Sequence, residues 1–340
     1  MKKLYATIIL ASLCAFCYAQ DDVQKAAAAA AAALYNTQPE QAAPAPKPVF
    51  WKNSIEFTLG FNQTGLFNWA AGGNNTVTLA AGMDVKANYK KDLFNWTNRL
   101  QMDYGFLWSS DKRGLVQKNK DRIKFESKLA YKTGKESKWN YTASLDFRSQ
   151  FASGYSKYEE IEGQWVGKEV SSALSPGYID LAFGLEWKPN DWFNLNLSPL
   201  DAGVVICTND KFRQAYGMKP IDPNDKLKGY ESVLFQLGAQ LKANVAVNIN
   251  KVFKYETQLV LFYDYLYDYP AENTSKFPVR VNWDNKISLQ VAKYFKISLD
   301  TWNIYDPLIL FYDQDPAVGT HKLQFKEFFA VSFTYNIDHK

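Results

Sequence analysis

Apolar and polar positions alternate every two residues in about twelve separate segments of this chain. Around Met83, for example, Met83 and Val85 are apolar, whereas Asp84 and Lys86 are charged. Because successive side chains of a strand point to opposite faces, each segment has one apolar and one polar face. The polar faces carry charge at mid-strand, and the apolar faces are rich in Trp, Tyr and Phe. This combination is typical of strands that close around a polar lumen with lipid outside.

The alternation predicts an even number of strands, which returns an antiparallel barrel to its starting side. The predicted strands are 54–63, 76–90, 95–108, 121–133, 138–152, 177–188, 192–199, 231–247, 253–267, 279–291, 294–304 and 322–337. The connections after even-numbered strands are short, and those after odd-numbered strands are long. We therefore predict an all-β, antiparallel transmembrane outer-membrane β-barrel, porin-like, with short turns in the periplasm and long loops outside.

The N-terminus has the pattern of a secretory signal peptide. Lys2 and Lys3 precede an apolar run from Leu4 to Tyr18, which ends at a small residue, Ala19. A basic head, an apolar stretch of this length and a small residue at the cut predict cleavage of residues 1–19. We expect the mature protein in the outer membrane of a Gram-negative cell, with outer-membrane lipid and the barrel-assembly machinery as partners.

A segment of different composition separates the signal peptide from the first strand. Residues 20–49 contain eight consecutive alanines, Ala26–Ala33, followed by a proline-rich stretch. Alanine favours helix and proline favours an extended spacer, so we predict a short helical and Pro-rich periplasmic arm. The same low-complexity composition also fits a poorly ordered linker. Residues 50–340 are assigned to the barrel.

Composition narrows the function only slightly. A mean hydropathy of −0.33 agrees with a barrel, because half of each strand is polar. With 39 Lys and Arg against 35 Asp and Glu, the charge is nearly balanced and does not indicate a nucleic-acid partner. A soluble β-sandwich would also alternate, but it explains neither the signal peptide nor the loop asymmetry.

Seven short motifs occur in a fixed order and together resemble a known family. They are Asn68–Asn74, Lys120–Arg122, Gln150–Phe151, Ser175–Tyr178, Ser198–Leu200, Ile304–Asp306 and Gln324–Glu327. Their order is similar to that of the family called domain of unknown function 3078, found in Bacteroidetes-type bacteria. The resemblance covers roughly residues 50–337. It implies an outer-membrane barrel without an assigned activity, and it supplies no catalytic residues.

The charged residues on the inward faces are the main candidates for a functional site. They include Arg99, Asp103, Lys124, Glu126, Asp146, Arg148, Glu186, Glu256, Arg280 and Asp284. They could form a path or binding site for a small polar solute. Alternatively, they could pair with one another and plug the lumen of a structural or assembly protein.

The sequence offers two further candidate sites, one for ligand binding and one for hydrolysis. The loop that holds Trp69, Gly72, Gly73 and Asn74 could bind a ligand, or it could simply fold tightly on the barrel rim. An outer-membrane hydrolase would need a base such as His321, but no serine motif stands beside it in the sequence. The sequence therefore predicts no catalytic residue, no cofactor and no metal site.

Overall fold

The computed structural model describes residues 25, 28, 29, 31, 49–64, 74–112, 114–266, 277–309, 311–312 and 319–339. The chain divides into two compact units, Met1–Pro48 and Val49–Lys340. In the first unit the four described residues have helical backbone. The predicted signal peptide and the proline-rich spacer lie outside the described residues. No helix in the described part of the chain is long and apolar enough to cross a membrane.

The second unit is built almost entirely of strands. These are β1 (Trp51–Thr64), β2 (Thr76–Lys91), β3 (Phe94–Ser109), β4 (Val116–Lys132), β5 (Trp139–Ser149), β6 (Gly154–Ile161), β7 (Gln164–Ser171), β8 (Gly177–Trp187), β9 (Phe193–Ile206), β10 (Val233–Asn248), β11 (Phe253–Asp264), β12 (Val279–Ala292), β13 (Phe295–Tyr305), β14 (Phe311–Tyr312), β15 (Gly319–Thr320) and β16 (Gln324–His339). Between β9 and β10 lie a short helix, α1 (Asp210–Arg213), and a 3₁₀ turn, Lys226–Lys228.

Twelve of these strands form a closed antiparallel barrel in the order β1-β16-β13-β12-β11-β10-β9-β8-β5-β4-β3-β2. The first and last strands close it, with Ile55 opposite Ile337 and Phe57 opposite Tyr335. Closure leaves no barrel strand with an unpaired edge, as a membrane interior requires. The structure therefore confirms the predicted fold class, a twelve-stranded outer-membrane type of barrel.

The observed barrel strands agree closely with the predicted ones, and the largest differences fall at the loop end. Strand β9 continues to Ile206, seven residues beyond its predicted end, into a segment that was assigned to a long loop. The long connection between β5 and β8 holds a two-stranded hairpin, β6 and β7. A second small pair, β14 and β15, lies between β13 and β16. The alternation missed these pairs because they are short and lack a continuous apolar face.

The two faces of the barrel differ as the alternation predicts. On β5, Leu145 is 38 % exposed, whereas its neighbour Asp146 is 7 % exposed. On β16, Phe329, Phe333 and Tyr335 are likewise exposed on the outer face. Large apolar side chains on the outside and buried charges inside are the reverse of a soluble protein, so the outer surface is suited to lipid.

Aromatic rings cluster near the short turns. Trp139 and Trp187 contact each other across β5 and β8, with ring centroids 6.4 Å apart. Trp51 meets Trp96 at 5.7 Å, and Tyr294 stacks on Phe333 at 5.6 Å. Amphipathic rings at one level of a barrel mark the boundary between hydrocarbon and water.

At the opposite end, a small apolar core covers part of the lumen. We call this core the loop-end cluster; it consists of Val205, Cys207, Phe212, Met218, Leu234 and Leu308. Arg213 fastens the surrounding loop by donating to the backbone carbonyls of Cys207 at 3.1 Å and Tyr230 at 3.0 Å. Leu308 follows β13, whereas Val205 and Leu234 lie on β9 and β10, so the cluster joins segments from different parts of the barrel wall.

Candidate functional site

The ten inward charges singled out from the sequence all lie on the lumen face of the barrel strands. Strict alternation places them there, since each occupies the parity opposite to the lipid-facing aromatics. Most of them have an ionic or hydrogen-bonded partner within the lumen, and many of these partners are on strands that are not neighbours. The lumen is therefore a polar interior in which the height of a charged side chain along the barrel axis decides which group it pairs with.

A series of contacts crosses the lumen from the β4–β5–β8 wall to the β10–β13 wall. We call these the crossing contacts: Lys120 to Asp300, Arg122 to Asp284, Lys124 to Gln258, Lys242 to Glu126 and Asp146, Arg148 to Asn282, and Arg280 to Asp180. Each joins strands at least three positions apart around the ring. They hold two opposite walls together through charge-assisted hydrogen bonds.

The central crossing contact is centred on Lys242 of β10. Its Nζ lies 2.6 Å from Glu126 Oε1 and 2.8 Å from Asp146 Oδ1. Gln258 of β11 donates to the same Glu126 oxygen at 3.0 Å and accepts from Lys124. A buried lysine with two carboxylate partners keeps its charge, because the attraction offsets the loss of hydration.

A second crossing contact lies nearer the loop end. Arg280 Nη2 donates to Asp180 Oδ1 at 3.1 Å, and Nη1 donates to Gln236 at 3.0 Å. The guanidinium also lies 4.6 Å from the ring centre of Phe262, and Arg148 lies 4.8 Å from that of Tyr178. Since Tyr178 packs against the loop-end cluster, this layer connects the charged interior to the apolar cover.

Two cavities remain between the crossing contacts and the short turns. The inner cavity, of about 490 Å³, is lined by charged and amide side chains from all parts of the wall. The outer cavity, of about 760 Å³, reaches the β10–β11 turn at Asn250 and Lys251. Both are lined by Glu56, Asp84, Lys86, Glu256 and Lys286, so they are contiguous. Volumes of this order hold a small molecule.

The other sequence candidates are not brought into this site. Trp69, Gly72 and Gly73 lie outside the described residues, and Asn74 is an exposed residue just before β2. His321 lies between β15 and β16, at the loop end and away from both cavities. Within the described residues, no group of three or more His, Cys, Asp or Glu side chains is arranged to hold a metal ion.

Several residues of the lumen site are not evident from the charged residues of the sequence. Gln258 is uncharged, although its parity on β11 already places it inward. Lys120 was assigned to a loop, but β4 begins at Val116 and carries it into the lumen. Lys251 lies in a turn, where alternation gives no information about direction. Of these three residues, only Gln258 could have been found by applying the parity rule to every polar residue.

A comparison with protein families identifies the same family that the order of motifs predicted. Residues 61–155 match a family described as protein of unknown function (DUF3078). The matched residues include all of β2 to β5, and with them Lys124, Glu126 and Asp146. The expected Bacteroidetes-type source stays a prediction. No relative was found among curated proteins.

Solved structures similar to this chain include outer-membrane proteins. The COG4313 outer membrane channel from Pseudomonas putida F1 has 9 % identity and a TM-score of 0.35, covering 89 % of this chain and 100 % of its own. The NanC porin has 9 % identity and a TM-score of 0.35, with coverages of 82 % and 98 %. An active-site mutant of outer membrane phospholipase A from Escherichia coli has 11 % identity and a TM-score of 0.34, with coverages of 87 % and 94 %.

Proposed function

We propose that this barrel binds a small polar solute in its lumen and lets it pass between the short-turn end and the loop end. The observation that carries the proposal is the pair of contiguous cavities, which extend from the short turns to the crossing contacts. Their walls are charged and polar, so they can form hydrogen bonds and ion pairs with a hydrophilic solute but few favourable contacts with an apolar one.

The crossing contacts act as a removable barrier in this proposal. They consist of side chains rather than a folded plug domain, and Arg122 and Asp284 are 26 % and 31 % exposed. Side chains at a partly hydrated site exchange rotamers on short timescales, so an entering solute can replace one partner of a pair. A charged solute forms a new ion pair with the remaining partner, and the displaced side chain is hydrated in the adjoining cavity.

The proposed orientation follows from the unequal connections. We place the short turns in the periplasm and the long loops, with the loop-end cluster, outside the cell. Outer-membrane barrels have short periplasmic turns and longer extracellular loops. In this orientation the outer cavity, which lies at the short-turn end, opens toward the periplasm.

Reconstitution in planar bilayers tests the proposal. The purified full chain should give discrete conductance steps, and replacing both Arg122 and Asp284 by serine should enlarge them because the barrier is thinned. Lys135→Gln, an exposed change in the β4–β5 turn, is the matched control and should leave the steps unchanged. Silence from both wild type and the double variant would refute passage.

A second candidate function is favoured by the crossing contacts themselves. Because they join opposite walls at several levels, the barrel could be a rigid outer-membrane component with a permanently filled lumen. This alternative expects no conductance from the wild type. It also expects a large loss of stability when the crossing contacts are removed.

A further inference from the structure

The outer cavity, which we call the vestibule, is lined by more cations than anions. Its walls hold five lysines and three carboxylates: Lys86, Lys251, Lys254, Lys286 and Lys296 with Glu56, Asp84 and Glu256. They come from β1, β2, β11, β12, β13 and the β10–β11 turn. Residues distant in sequence are therefore gathered around one space at the short-turn end.

The three carboxylates already have close cationic partners. Lys296 Nζ lies 2.5 Å from Glu56 Oε1, and Lys254 Nζ lies 3.0 Å from Glu256 Oε1. Asp84 is paired with Arg99, whose Nη2 is 2.5 Å from Oδ2 and whose Nε donates at 3.0 Å. The acidic side of the vestibule is therefore largely neutralised by these three cations.

Lys251 and Lys286 differ from the other three vestibule lysines in their carboxylate contacts. Among the described residues, neither has a carboxylate oxygen within 4.0 Å of its Nζ, whereas the other vestibule lysines do. Lys286 is half-buried at the boundary with the inner cavity, and Lys251 is exposed at the turn. Together they mark the entrance and the inner end of the vestibule with positive charge that forms no close ion pair among the described residues.

The remaining lining residues suit an oxyanion. Ser54, Ser288 and Asn336 place hydroxyl and amide donors among the lysines. A lysine ammonium binds phosphate or carboxylate as a point charge, and neighbouring neutral donors complete the hydrogen bonds. An excess of one sign of charge in a recess with low-dielectric walls also focuses the field on the opposite ion.

We infer that the vestibule is a binding site for small solutes that carry a carboxylate or phosphate group. This inference rests on the proposed function and names its solute class. The anion enters past Lys251, binds between Lys251 and Lys286, and reaches the inner cavity along the residues that line both spaces. There it meets the basic members of the crossing contacts, Arg122 and Lys124.

Direct binding tests the inference without requiring conduction. Inorganic phosphate and succinate are titrated into the detergent-solubilised full chain by calorimetry at low ionic strength, where charge interactions are least screened. We expect saturable binding of at least one probe and a loss of about tenfold in affinity, about 1.4 kcal/mol, in the K251Q/K286Q double variant. The K135Q control, exposed at the same end but outside the vestibule, should bind like wild type.

The outcomes separate this inference from the proposed passage. Absence of saturable binding, or equal binding by wild type and K251Q/K286Q, overturns the anion site. Bilayer reversal potentials in a salt gradient add a second readout, in which the wild type should prefer chloride to potassium and the double variant should lose that preference. If bilayers are silent but binding is lost in the double variant, the anion site stands and passage fails. If steps appear with selectivity and binding unaffected by the variant, passage stands and the anion site fails.

Discussion

Arg122 on β4 and Asp284 on β12 meet across the barrel, with Nη1 3.4 Å from Oδ2. Their strands are six positions apart in either direction around the ring, so the two residues lie on opposite walls. Arg122 also contacts Asp103 of the neighbouring β3, with Nη2 3.2 Å from Oδ2. One guanidinium thus connects a local pair to the far wall, and the side chains of Arg122 and Asp284 together span the lumen at this level.

The pairing of Arg122 with Asp284 predicts energetic coupling between opposite walls. A double-mutant cycle with Arg122→Ala and Asp284→Ala should give a coupling of about 0.5–3 kcal/mol, since both groups are partly screened from water. The measurement is urea unfolding of the refolded barrel in lipid vesicles. The exposed loop pair Lys228 and Asp222 is the control and should couple much more weakly. Independent effects of the two substitutions would mean that the walls do not touch here.

The opposite faces of β5 predict opposite tolerances to substitution. Leu145→Arg places a cation on the lipid face and should cost about 2–4 kcal/mol if the position lies near the bilayer midplane. Asp146→Asn on the lumen face should cost less, because Lys242 keeps Glu126 as a partner at 2.6 Å. Both are measured by unfolding in vesicles. Equally mild effects would show that the assigned faces of this strand are wrong.

Gly238 on β10 is predicted to be intolerant of any side chain. It lies where the register of β10 against β9 shifts, and a Cβ there would overlap the carbonyl oxygen of Tyr263. Gly238→Ala should therefore destabilise the barrel by about 1–3 kcal/mol through a forced backbone shift. In the β4–β5 turn, a Cβ at Gly134 would have its nearest neighbour at 3.8 Å, so Gly134→Ala is the control. A stable Gly238→Ala barrel would refute the close approach of β10 to the Tyr263 carbonyl of β11.

Cysteine labelling tests the proposed orientation. In a Cys207→Ser background, Asn224→Cys in the β9–β10 loop should react with an impermeant maleimide on intact cells, whereas Lys135→Cys in a short turn should react only after the outer membrane is opened. Both positions are exposed. Labelling of Lys135→Cys alone on intact cells would invert the assignment.

The native thiol is predicted to be unreactive in the folded protein. The sequence places Cys207 in a long loop, where an accessible thiol is expected, but the structure buries it in the loop-end cluster. Burial raises the pKa of the Cys207 thiol, so less thiolate forms near neutral pH. Native protein should react with maleimide only slowly, and urea-unfolded protein should react rapidly. Rapid labelling of the folded chain would show that the loop-end cluster is open.

Much of the barrel could be predicted from the sequence because strand parity is a local property. Asp146 and Leu145 are assigned to opposite faces by their neighbours alone, and the same holds for Arg99 and Asp103 on β3 and for Lys124 and Glu126 on β4. The end of β9 could not be predicted as well. Its residues Val204, Val205 and Ile206 form a continuous apolar run, in which alternation vanishes because Val205 contributes to the loop-end cluster.

The sequence by itself determined most of the barrel strands, their two faces and most of the charges that enter the lumen, since these depend on neighbours along the chain. Only the tertiary structure decided that Arg122 faces Asp284, that Lys242 is shared by Glu126 and Asp146, and that Lys251 and Lys286 form no close ion pair among the described residues. Those partnerships depend on strand order, tilt and stagger around a closed ring, which bring residues more than a hundred positions apart to the same level. No local pattern encodes that level, because it is set when the last strand pairs with the first.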